Sequence, residues 1–347
     1  MAGILGIDEV LIPDGPSLAY DRIIEGISTG QIRSLWVVAT NGAHSWINHS
    51  DMKELLGRLD FLVVQDMYGT TETAQLADLV LPAAGWGEKD GTFINSERRL
   101  GLIQRVSPAP GQALADFFIF KAIADAWGCG HLFGRWTDPE AVFEILQELS
   151  AGQPCDITGV RGYEQVIGGG VQWPYPTGSN LPSAPAGATD VERRLFADGQ
   201  FFTADGRARF VFEEPVSPRE RPGGNYPLTL LTGRGSASQW HTETRTGKSA
   251  TLRALAPEGL WVDIHPDDAG SRGIEPGDEV LVETRRGSVG ARAQVTANVG
   301  PGNVYLPMHH PQVNALTFPA FDPHSRQPSY KHCAAQVRVA PPGYAPG

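Results

Sequence analysis

The sequence changes its secondary-structure pattern near Tyr226, and this change constrains the fold more than any other feature. Before it, short apolar runs alternate with segments of helical periodicity; after it, short β-rich segments dominate. The first pattern is typical of a parallel sheet with crossover helices, and the second is typical of a small closed β-barrel. We therefore predict an α/β domain with a doubly wound parallel sheet over residues 1–150, an irregular linker over 151–226 and a barrel domain over 227–340.

The α/β pattern consists of three apolar runs separated by helical segments. Each run is short and continuous, as expected for strands that are buried on both faces of a parallel sheet. The predicted strands cover residues 34–40, 61–64 and 78–82. Helices are predicted over residues 17–27, after a capping box that begins at Asp51, and as a single turn from Thr71. Two more are predicted, one over 114–127 and one after a cap at 137–140. The first of these two carries Phe117, Phe120, Ile123 and Trp127 at helical spacing.

The second half of the sequence predicts five short strands, over residues 228–231, 260–264, 279–283, 289–295 and 303–306. Arg285 to Gly287 indicate a hairpin turn, followed by alternating inward residues at 289, 291, 293 and 295. Only one short helix, over 266–270, is predicted among them. The 41 glycines and 27 prolines indicate many turns and exclude a helical bundle.

Charge and cysteine content narrow the classes of function. The net charge of −11 disfavours a protein that wraps a nucleic-acid backbone, although a local pocket can still hold a small anion. Three scattered cysteines argue against a disulfide scaffold or a local metal cluster and favour a reducing, cytoplasmic location. We expect no membrane span and no signal peptide, because the sequence lacks a long apolar run and a basic amino-terminal region.

Polar residues follow each predicted strand of the parallel sheet. They are Asn41 in residues 40–42, Gln65 with Asp66, and Lys89 in residues 88–91. Ligands of parallel sheets bind beyond the carboxyl ends of the strands, and carboxylate, amide and ammonium groups together suit a nucleotide. The alternative is that the strand-end Asp and Asn only cap the helices that follow.

The most unusual segment is residues 232–247, which follow a predicted strand. This segment contains three glycines, several hydroxyl side chains, Arg234, His241 and Arg245. Backbone N–H groups of a glycine-rich turn together with hydroxyls and arginine can bind phosphate, although an ordinary long loop is an equal alternative. His309 and His310 look like a metal pair, but adjacent residues of a strand point to opposite faces. The residues alone thus predict binding of an anionic, nucleotide-like ligand, without visible catalytic machinery.

Three stretches of this sequence resemble the molybdopterin oxidoreductase family. The first, residues 63–99, contains Val-Val-Gln-Asp, Ala-Asp-Leu-Val-Leu-Pro and Gly-Trp-Gly-Glu-Lys-Asp-Gly. The second, residues 232–247, begins Thr-Gly-Arg and continues Trp-His-Thr-Glu-Thr-Arg-Thr-Gly from 240. The third contains Asn-Ala-Leu-Thr from 314 and Asp-Pro-His-Ser-Arg-Gln-Pro-Ser-Tyr-Lys-His-Cys from 322. Within the family, the sequence looks most like the assimilatory nitrate reductases, and formate dehydrogenase-like members share much of the pattern.

The resemblance implies a bis(molybdopterin guanine dinucleotide) molybdenum cofactor, bound between the α/β domain and a six-stranded barrel of double-psi type. The positions that match family residues holding one guanine dinucleotide arm are Asn41, Gln65, Asp66, Lys89 and Asp116. The positions that match residues holding the cofactor from the barrel are Asn314, Lys331 and the loop over 232–242, with Thr232, Gly233, Arg234, Trp240, His241 and Thr242.

The resemblance also implies parts that this sequence does not contain. Complete members begin with a cysteine-rich segment that holds a 4Fe–4S cluster, and later supply a side chain that ligates molybdenum. Cys129, Cys155 and Cys333 match neither role, so the resemblance transfers no catalytic or metal-ligating residue. It implies a carboxyl-terminal half that is inactive alone and whose partner is the N-terminal half of the catalytic subunit or an electron-donor subunit. The expected reaction of the complete enzyme is reduction of nitrate, a small anionic substrate, to nitrite; a formate dehydrogenase-like enzyme and a non-catalytic cofactor-binding protein are the alternatives.

Overall fold

The computed structural model describes residues 1–47, 49–179, 194–236 and 239–344, and only the backbone of residues 49 and 50. Part of the predicted linker, 180–193, and two positions of the predicted loop, 237 and 238, therefore lie outside the described residues. Packing groups the chain into two units: one contains residues 1–16 and 81–214, and the other contains residues 17–80 and 215–347. We call them unit 1 and unit 2. The predicted division into domains at 150 and 226 stays a prediction.

The elements alternate in the first part of the chain and become strand-rich after residue 226. The helices are α1 (Ala2–Leu5), α2 (Tyr20–Ser28), α3 (Gly42–Ser45), α4 (His49–Leu56), α5 (Asp116–Ala126), α6 (Pro139–Ser150), α7 (Tyr163–Val166), α8 (Ala250–Leu255) and α9 (Pro266–Ser271). The strands are β1 (Ser34–Val38), β2 (Phe61–Asp66), β3 (Leu79–Pro82), β4 (Gly91–Ile94), β5 (Arg99–Ile103), β6 (Val171–Gln172), β7 (Leu228–Gly233), β8 (Trp261–Ile264), β9 (Glu279–Thr284), β10 (Gly287–Val295), β11 (Asn303–Pro307) and β12 (His332–Val339).

The first sheet has the order β1-β2-β3, with β1 and β2 parallel, in register from the pair Ser34 and Phe61. Residues of β2 that face the core, such as Leu62 and Val64, pack with Ile27 of α2 and Met52 of α4. The buried residues of β1 and β2 form the apolar core of this sheet, whereas Phe61 is 44% exposed. The predicted parallel sheet is therefore confirmed.

Two helical predictions in this part were wrong in detail. The helix α4 begins at His49, so the capping box at Asp51 does not open it, and the predicted turn from Thr71 begins only at Ala74, as a 3₁₀ helix. The residues predicted at helical spacing in α5 are covered only in part: Phe117 and Ile123 are half-buried, whereas Phe120 is 42% exposed, and the buried residues are Ile119 and Ala124. Aromatic residues at helical spacing do not reveal which face a neighbouring element covers.

The second sheet is a closed barrel with the strand order β10-β8-β11-β7-β12-β9. It contains two parallel pairs, β10 with β8 and β11 with β7, among antiparallel neighbours. Inward residues alternate along each strand, as predicted for Val289, Ala291 and Ala293, and form one apolar core. The predicted barrel is confirmed, but the sequence prediction missed its sixth strand, β12, and the helix α8. The small inward residues of β12 (Cys333 and Ala335) carry little β-propensity.

Unit 1 contains an antiparallel sheet that the sequence did not predict. Its order is β4-β5-β6, and β6 lies in the segment that was predicted to be irregular. Val166 and Val171 pack on Leu100 of β5 and Phe143 of α6. The described part of the predicted linker is therefore partly ordered, because its few apolar residues have a core to join. In the parts of the chain that the structure describes, no helix has the length and apolarity needed to cross a bilayer.

Candidate functional site

A pocket of about 440 Å³ lies within unit 2, where residues after β1, residues after β7 and the chain between β11 and β12 converge. Its volume is in the range of small-molecule sites. The polar residues that line it include Tyr20, Thr40, His44, Thr232, Arg234, His241, Thr242, Asn314, Tyr330 and Lys331. No carboxylate is among its described lining residues, so the charges at its wall are those of Arg234 and Lys331.

The strand-end residue Asn41 is buried, and both its amide nitrogen and its amide oxygen form hydrogen bonds within the protein. Its amide nitrogen donates to Glu72 Oε2 over 2.6 Å. Its amide oxygen accepts from the Thr73 backbone N–H over 3.1 Å and from the Thr73 hydroxyl over 2.8 Å. These bonds join the chain after β1 to the chain after β2. The cofactor contact predicted for Asn41 stays a prediction.

His44 is a pocket residue that sequence reasoning missed. It lies in the short helix α3, and only 3% of it is exposed. Its Nδ1 lies 3.2 Å from Glu72 Oε1, and this hydrogen bond is the main reason why the pKa of Glu72 falls to about 2. Its Nε2 is buried and has no hydrogen-bond partner among the described residues. A lone histidine six residues after the end of β1 carries no pattern that would have indicated this position.

The loop after β7 brings a cation and several polar groups to the pocket. The Thr232 hydroxyl donates to the backbone oxygen of Tyr330. The Arg234 guanidinium stacks over the Trp240 ring, with its carbon 4.1 Å from the ring centroid. Trp240 itself is 61% exposed and does not line the pocket, whereas Arg234, His241 and Thr242 do. Gly233 is the last residue of β7.

The His309 ring forms two hydrogen bonds with the backbone of this loop. Its Nε2 accepts a hydrogen bond from the Gly235 backbone N–H over 2.9 Å, so the ring proton is on Nδ1, which donates to the His241 backbone oxygen over 2.5 Å. A Cβ at position 235 would lie 2.7 Å from Gln239 Oε1 and 3.1 Å from Pro307 Cβ. Glycine at position 235 therefore permits the loop backbone to approach His309 closely enough for these hydrogen bonds.

The environment of His241 favours its neutral form. Burial and the neighbouring Arg234 lower its pKa below the ordinary value. The described residues contain no group of three or more side chains able to hold a metal ion.

Asn314 and Lys331 also line the pocket. The Asn314 amide nitrogen donates to two backbone oxygens near α3, that of His44 over 3.2 Å and that of Trp46 over 2.6 Å. Asn314 therefore fixes the backbone that carries His44. Lys331 directly precedes β12, and its ammonium forms no ion pair with any described residue.

The other predicted site residues do not line this pocket. Gln65 is fully buried at the end of β2, and Asp66 Oδ1 accepts from the Tyr68 backbone N–H over 3.1 Å. Lys89 and Asp116 belong to unit 1, where the Lys89 ammonium lies 2.5 Å from Asp116 Oδ2. The structure thus brings Lys89 and Asp116 together, as it does the pocket residues of unit 2. The cofactor contacts predicted for these four residues stay predictions.

The pocket suits an anionic ligand that also offers hydrogen-bonding atoms. Arg234 and Lys331, which form no ion pair with the described part of the chain, can neutralise phosphate oxygens, and the Thr242 hydroxyl and the amides of the loop can donate to them. The buried Nε2 of His44 has no hydrogen-bond partner within the described part of the chain. These donors fit the diphosphate and heterocycle of a molybdopterin dinucleotide.

Comparison with known families agrees with this chemistry. A model of the molydopterin dinucleotide binding domain matches residues 228–334, which include five complete strands of the barrel, the start of β12 and most of the pocket. A model of molybdopterin oxidoreductase matches residues 12–126, which include the first sheet. The chain belongs to the molybdopterin oxidoreductase family.

Individual relatives fall into two enzyme classes. The catalytic subunit of the assimilatory nitrate reductase of Bacillus subtilis is 34% identical over 346 residues, which cover 98% of this chain and 46% of the relative. The alpha subunit of formate dehydrogenase 1 from Methanococcus maripaludis is 38% identical over 309 residues, which cover 88% of this chain and 43% of the relative. The chain therefore spans less than half the length of these curated relatives.

Among solved structures, acetylene hydratase from Pelobacter acetylenicus has a similar fold. Its TM-score is 0.65 at 18% identity, and the match covers 92% of this chain and 46% of that one. At this identity the similarity establishes the fold and carries no information about the reaction.

Proposed function

We propose that this chain supplies part of the binding site for a bis(molybdopterin guanine dinucleotide) cofactor in a nitrate reductase-like oxidoreductase. The observation that carries the proposal is the pocket of unit 2, which is lined by Arg234, Lys331 and the buried His44 and by no carboxylate among the residues that the structure describes. This pocket lies largely within the residues that match the dinucleotide-binding model. The choice of nitrate follows the relative from Bacillus subtilis, which aligns with 98% of the chain.

The residues of this chain bind and orient the cofactor in the proposed function. Arg234 and Lys331 bind phosphate oxygens through charge-assisted hydrogen bonds, while His309 keeps the loop that carries Arg234 in place. Because the pocket is built on the barrel and on α3, these contacts are preorganised. When bound, the molybdenum group supplies the two-electron redox chemistry that converts nitrate, with two protons, into nitrite and water.

Further parts of the proposal concern the remainder of the enzyme. The chain works with an N-terminal half of the catalytic subunit, which carries the 4Fe–4S cluster and the molybdenum ligand, or with an electron-donor subunit. The complex operates in the cytoplasm. The support for a missing half is that the matched relatives are more than twice as long as the aligned part.

Co-expression with such an N-terminal half tests the proposal. We expect the complex to retain molybdenum and to oxidise a reduced viologen dye when nitrate is added. The same complex carrying R234Q and K331Q together is the control, and it should lose molybdenum retention. A complex that holds molybdenum but is inert towards nitrate would contradict the substrate assignment.

Oxidation of formate is the second candidate function, because the formate dehydrogenase relative is 38% identical. The same complex distinguishes it: dye reduction on addition of formate, without dye oxidation by nitrate, would support formate. A non-catalytic binding protein is the third candidate. It requires that the isolated chain binds a guanine nucleotide diphosphate tightly in calorimetry, with no activity in any complex.

A further inference from the structure

Trp240 is a largely exposed aromatic residue whose ring contacts a cation of the pocket. The guanidinium carbon of Arg234 lies 4.1 Å from the centroid of this ring, although Trp240 is not among the residues that line the pocket. Trp240 belongs to none of the apolar cores of the described chain. Burial in a core therefore does not explain where this ring lies, and its contact with Arg234 calls for another explanation.

The backbone around Trp240 forms a tight turn. The Trp240 N–H donates to the Thr246 hydroxyl over 3.2 Å, and the Trp240 backbone oxygen accepts from the Glu243 N–H over 2.8 Å. His241 and Glu243 have positive φ angles, 48° and 58°, in a region that residues other than glycine rarely adopt. Such conformations cost energy and persist only where the surrounding contacts fix them. The turn therefore has one defined shape, and this shape places the Trp240 ring against Arg234.

The backbone of Arg234 is fixed by contacts that do not involve the ring. Its carbonyl oxygen accepts from the hydroxyl of Tyr305 in β11, and the next residue, Gly235, donates its N–H to His309. The side chain would still be free to sample several rotamers, and selecting one of them costs conformational entropy. Contact between the guanidinium and an aromatic ring favours one orientation, because the cation is attracted to the face of the ring.

Stacking and anion binding use different parts of the guanidinium group. An aromatic ring contacts the face of this planar group, whereas its N–H donors lie in the plane and point outwards. Arg234 lines the pocket in the same conformation in which it contacts the Trp240 ring. An anion can therefore accept hydrogen bonds from Arg234 without displacing it from Trp240. Because the side chain is ordered before the anion binds, less of the binding free energy is lost in ordering it.

We propose that Trp240 is a positioning residue for Arg234: its ring keeps the guanidinium in the orientation that binds a diphosphate-class anion, and Trp240 does not contact the anion itself. The inference rests on the proposed function, in which Arg234 binds phosphate oxygens of the cofactor. It gives Trp240 a role different from the direct cofactor contact that the family resemblance implies. Trp240 acts on affinity only through Arg234, so its effect depends on the presence of the guanidinium.

A double-mutant cycle tests this dependence, with calorimetric titration of inorganic pyrophosphate into the full 347-residue chain. We expect W240L to weaken binding about threefold to tenfold, because Arg234 must then be ordered on binding. R234Q should weaken binding more strongly, since it removes the charged donor. W240L should cause no further loss in the R234Q background. W240F, which keeps an aromatic face at this position, should retain most of the wild-type affinity.

The matched control is W261L. Trp261 lies in β8 of the same barrel, and the guanidinium carbon of Arg292 is 6.0 Å from the centroid of its ring. Neither Trp261 nor Arg292 is among the described residues that line the pocket, so W261L should leave the affinity for pyrophosphate unchanged. Thermal melts should show that W240L is folded, because the Trp240 ring is largely exposed.

Two results of the cycle would overturn the inference. One is an equal loss of affinity from W240L in the wild-type and R234Q backgrounds, since Trp240 would then act independently of Arg234. The other is unchanged or tighter binding by W240L. If the wild-type chain binds neither pyrophosphate nor guanosine diphosphate, the proposed function fails and this inference with it; if R234Q weakens binding and W240L does not, only this inference fails.

NMR spectra provide an independent readout of the stacked arrangement. The Arg234 Nε–H resonance, assigned by its absence in R234Q, should lie upfield in the wild-type chain because the Trp240 ring shields it, and this shift should be lost in W240L. We expect the upfield shift to persist when pyrophosphate is bound. Loss of the shift on binding would show that the guanidinium leaves the ring to reach the anion, which would refute the mechanism.

Discussion

The buried carboxylate Glu220 offers a sharp test of how the chain before the barrel is attached to it. The Glu220 side chain is 7% exposed and accepts from Arg286 Nη1 and Nη2 over 2.9 Å each, from Arg285 Nη1 over 2.7 Å and from the Ala334 backbone N–H over 3.0 Å. Arg286 Nε in turn donates to the Leu316 backbone oxygen, at the end of the 3₁₀ helix that carries Asn314. Glu220 therefore connects the end of the predicted linker to β12 and, through Arg286, to the 3₁₀ helix Pro311–Leu316, which carries the pocket residue Asn314.

Replacing this residue with glutamine, E220Q, removes the charge and keeps the shape. Breaking a buried ion pair from one side costs about 3–5 kcal/mol. Arg285 is half exposed and contributes little, so we expect a cost near the lower bound, about 3 kcal/mol, from the loss of charge beside the well-buried Arg286. For a unit of this size, that is a fall in melting temperature of roughly 6–12 °C.

The matched control is E283Q, which breaks the bidentate contact of Glu283 with Arg338 on the outside of the same barrel, at 2.8 Å for both bonds. The side chains of that pair are 27% and 49% exposed, so its loss should cost at most about 1 kcal/mol. Thermal melts and hydrogen exchange of the β12 peptide provide the measurement. Equal effects of E220Q and E283Q would refute the reasoning that burial decides the difference.

The pH dependence provides a second readout for Glu220. Burial alone would raise its pKa, but hydrogen bonds from Arg286, the Ala334 N–H and Arg285 outweigh this and hold the pKa below the ordinary value. The stabilisation is therefore complete above the unfolded pKa, about 4.3, and is lost as the pH falls below it. The difference in stability between wild type and E220Q should therefore become smaller below about pH 4.

Three further predictions follow from the site and the surface. N314A should lower the free energy of local opening of the backbone near α3 by about 1–2 kcal/mol, because two hydrogen bonds to backbone carbonyls are lost. Hydrogen exchange of residues 42–47 should therefore be faster in the variant, and unchanged exchange would contradict this role of Asn314. E72Q should remove stability that wild type has in full above about pH 4.5 and loses as the pH falls towards 2, so acid denaturation should be less steep in the variant, since the folded pKa of Glu72 is about 2. W127S should reduce self-association of the isolated chain in light scattering, because Trp127 is 75% exposed; a wild-type chain that is a clean monomer would contradict this.

The order of helices and strands was accessible from the sequence. Short buried strands and amphipathic helices have periodicities that persist whatever they pack against, so the parallel sheet and five of the barrel strands could be predicted. The sixth strand and the sheet β4-β5-β6 were missed because their small or short segments become strands only when a neighbouring edge pairs with them.

The sequence by itself determined which residue types could hold an anion and which family this chain resembles, since Arg234 and Lys331 stand in recognisable motifs. Only the tertiary structure decided that His44 joins them, that Glu72 holds its ring and that His309 clamps the loop. Each of these contacts links residues far apart in the chain, and distances across a closed barrel are set by packing of the whole core. Local periodicity records which face of a segment is apolar, but it contains no information about which distant polar group will meet it.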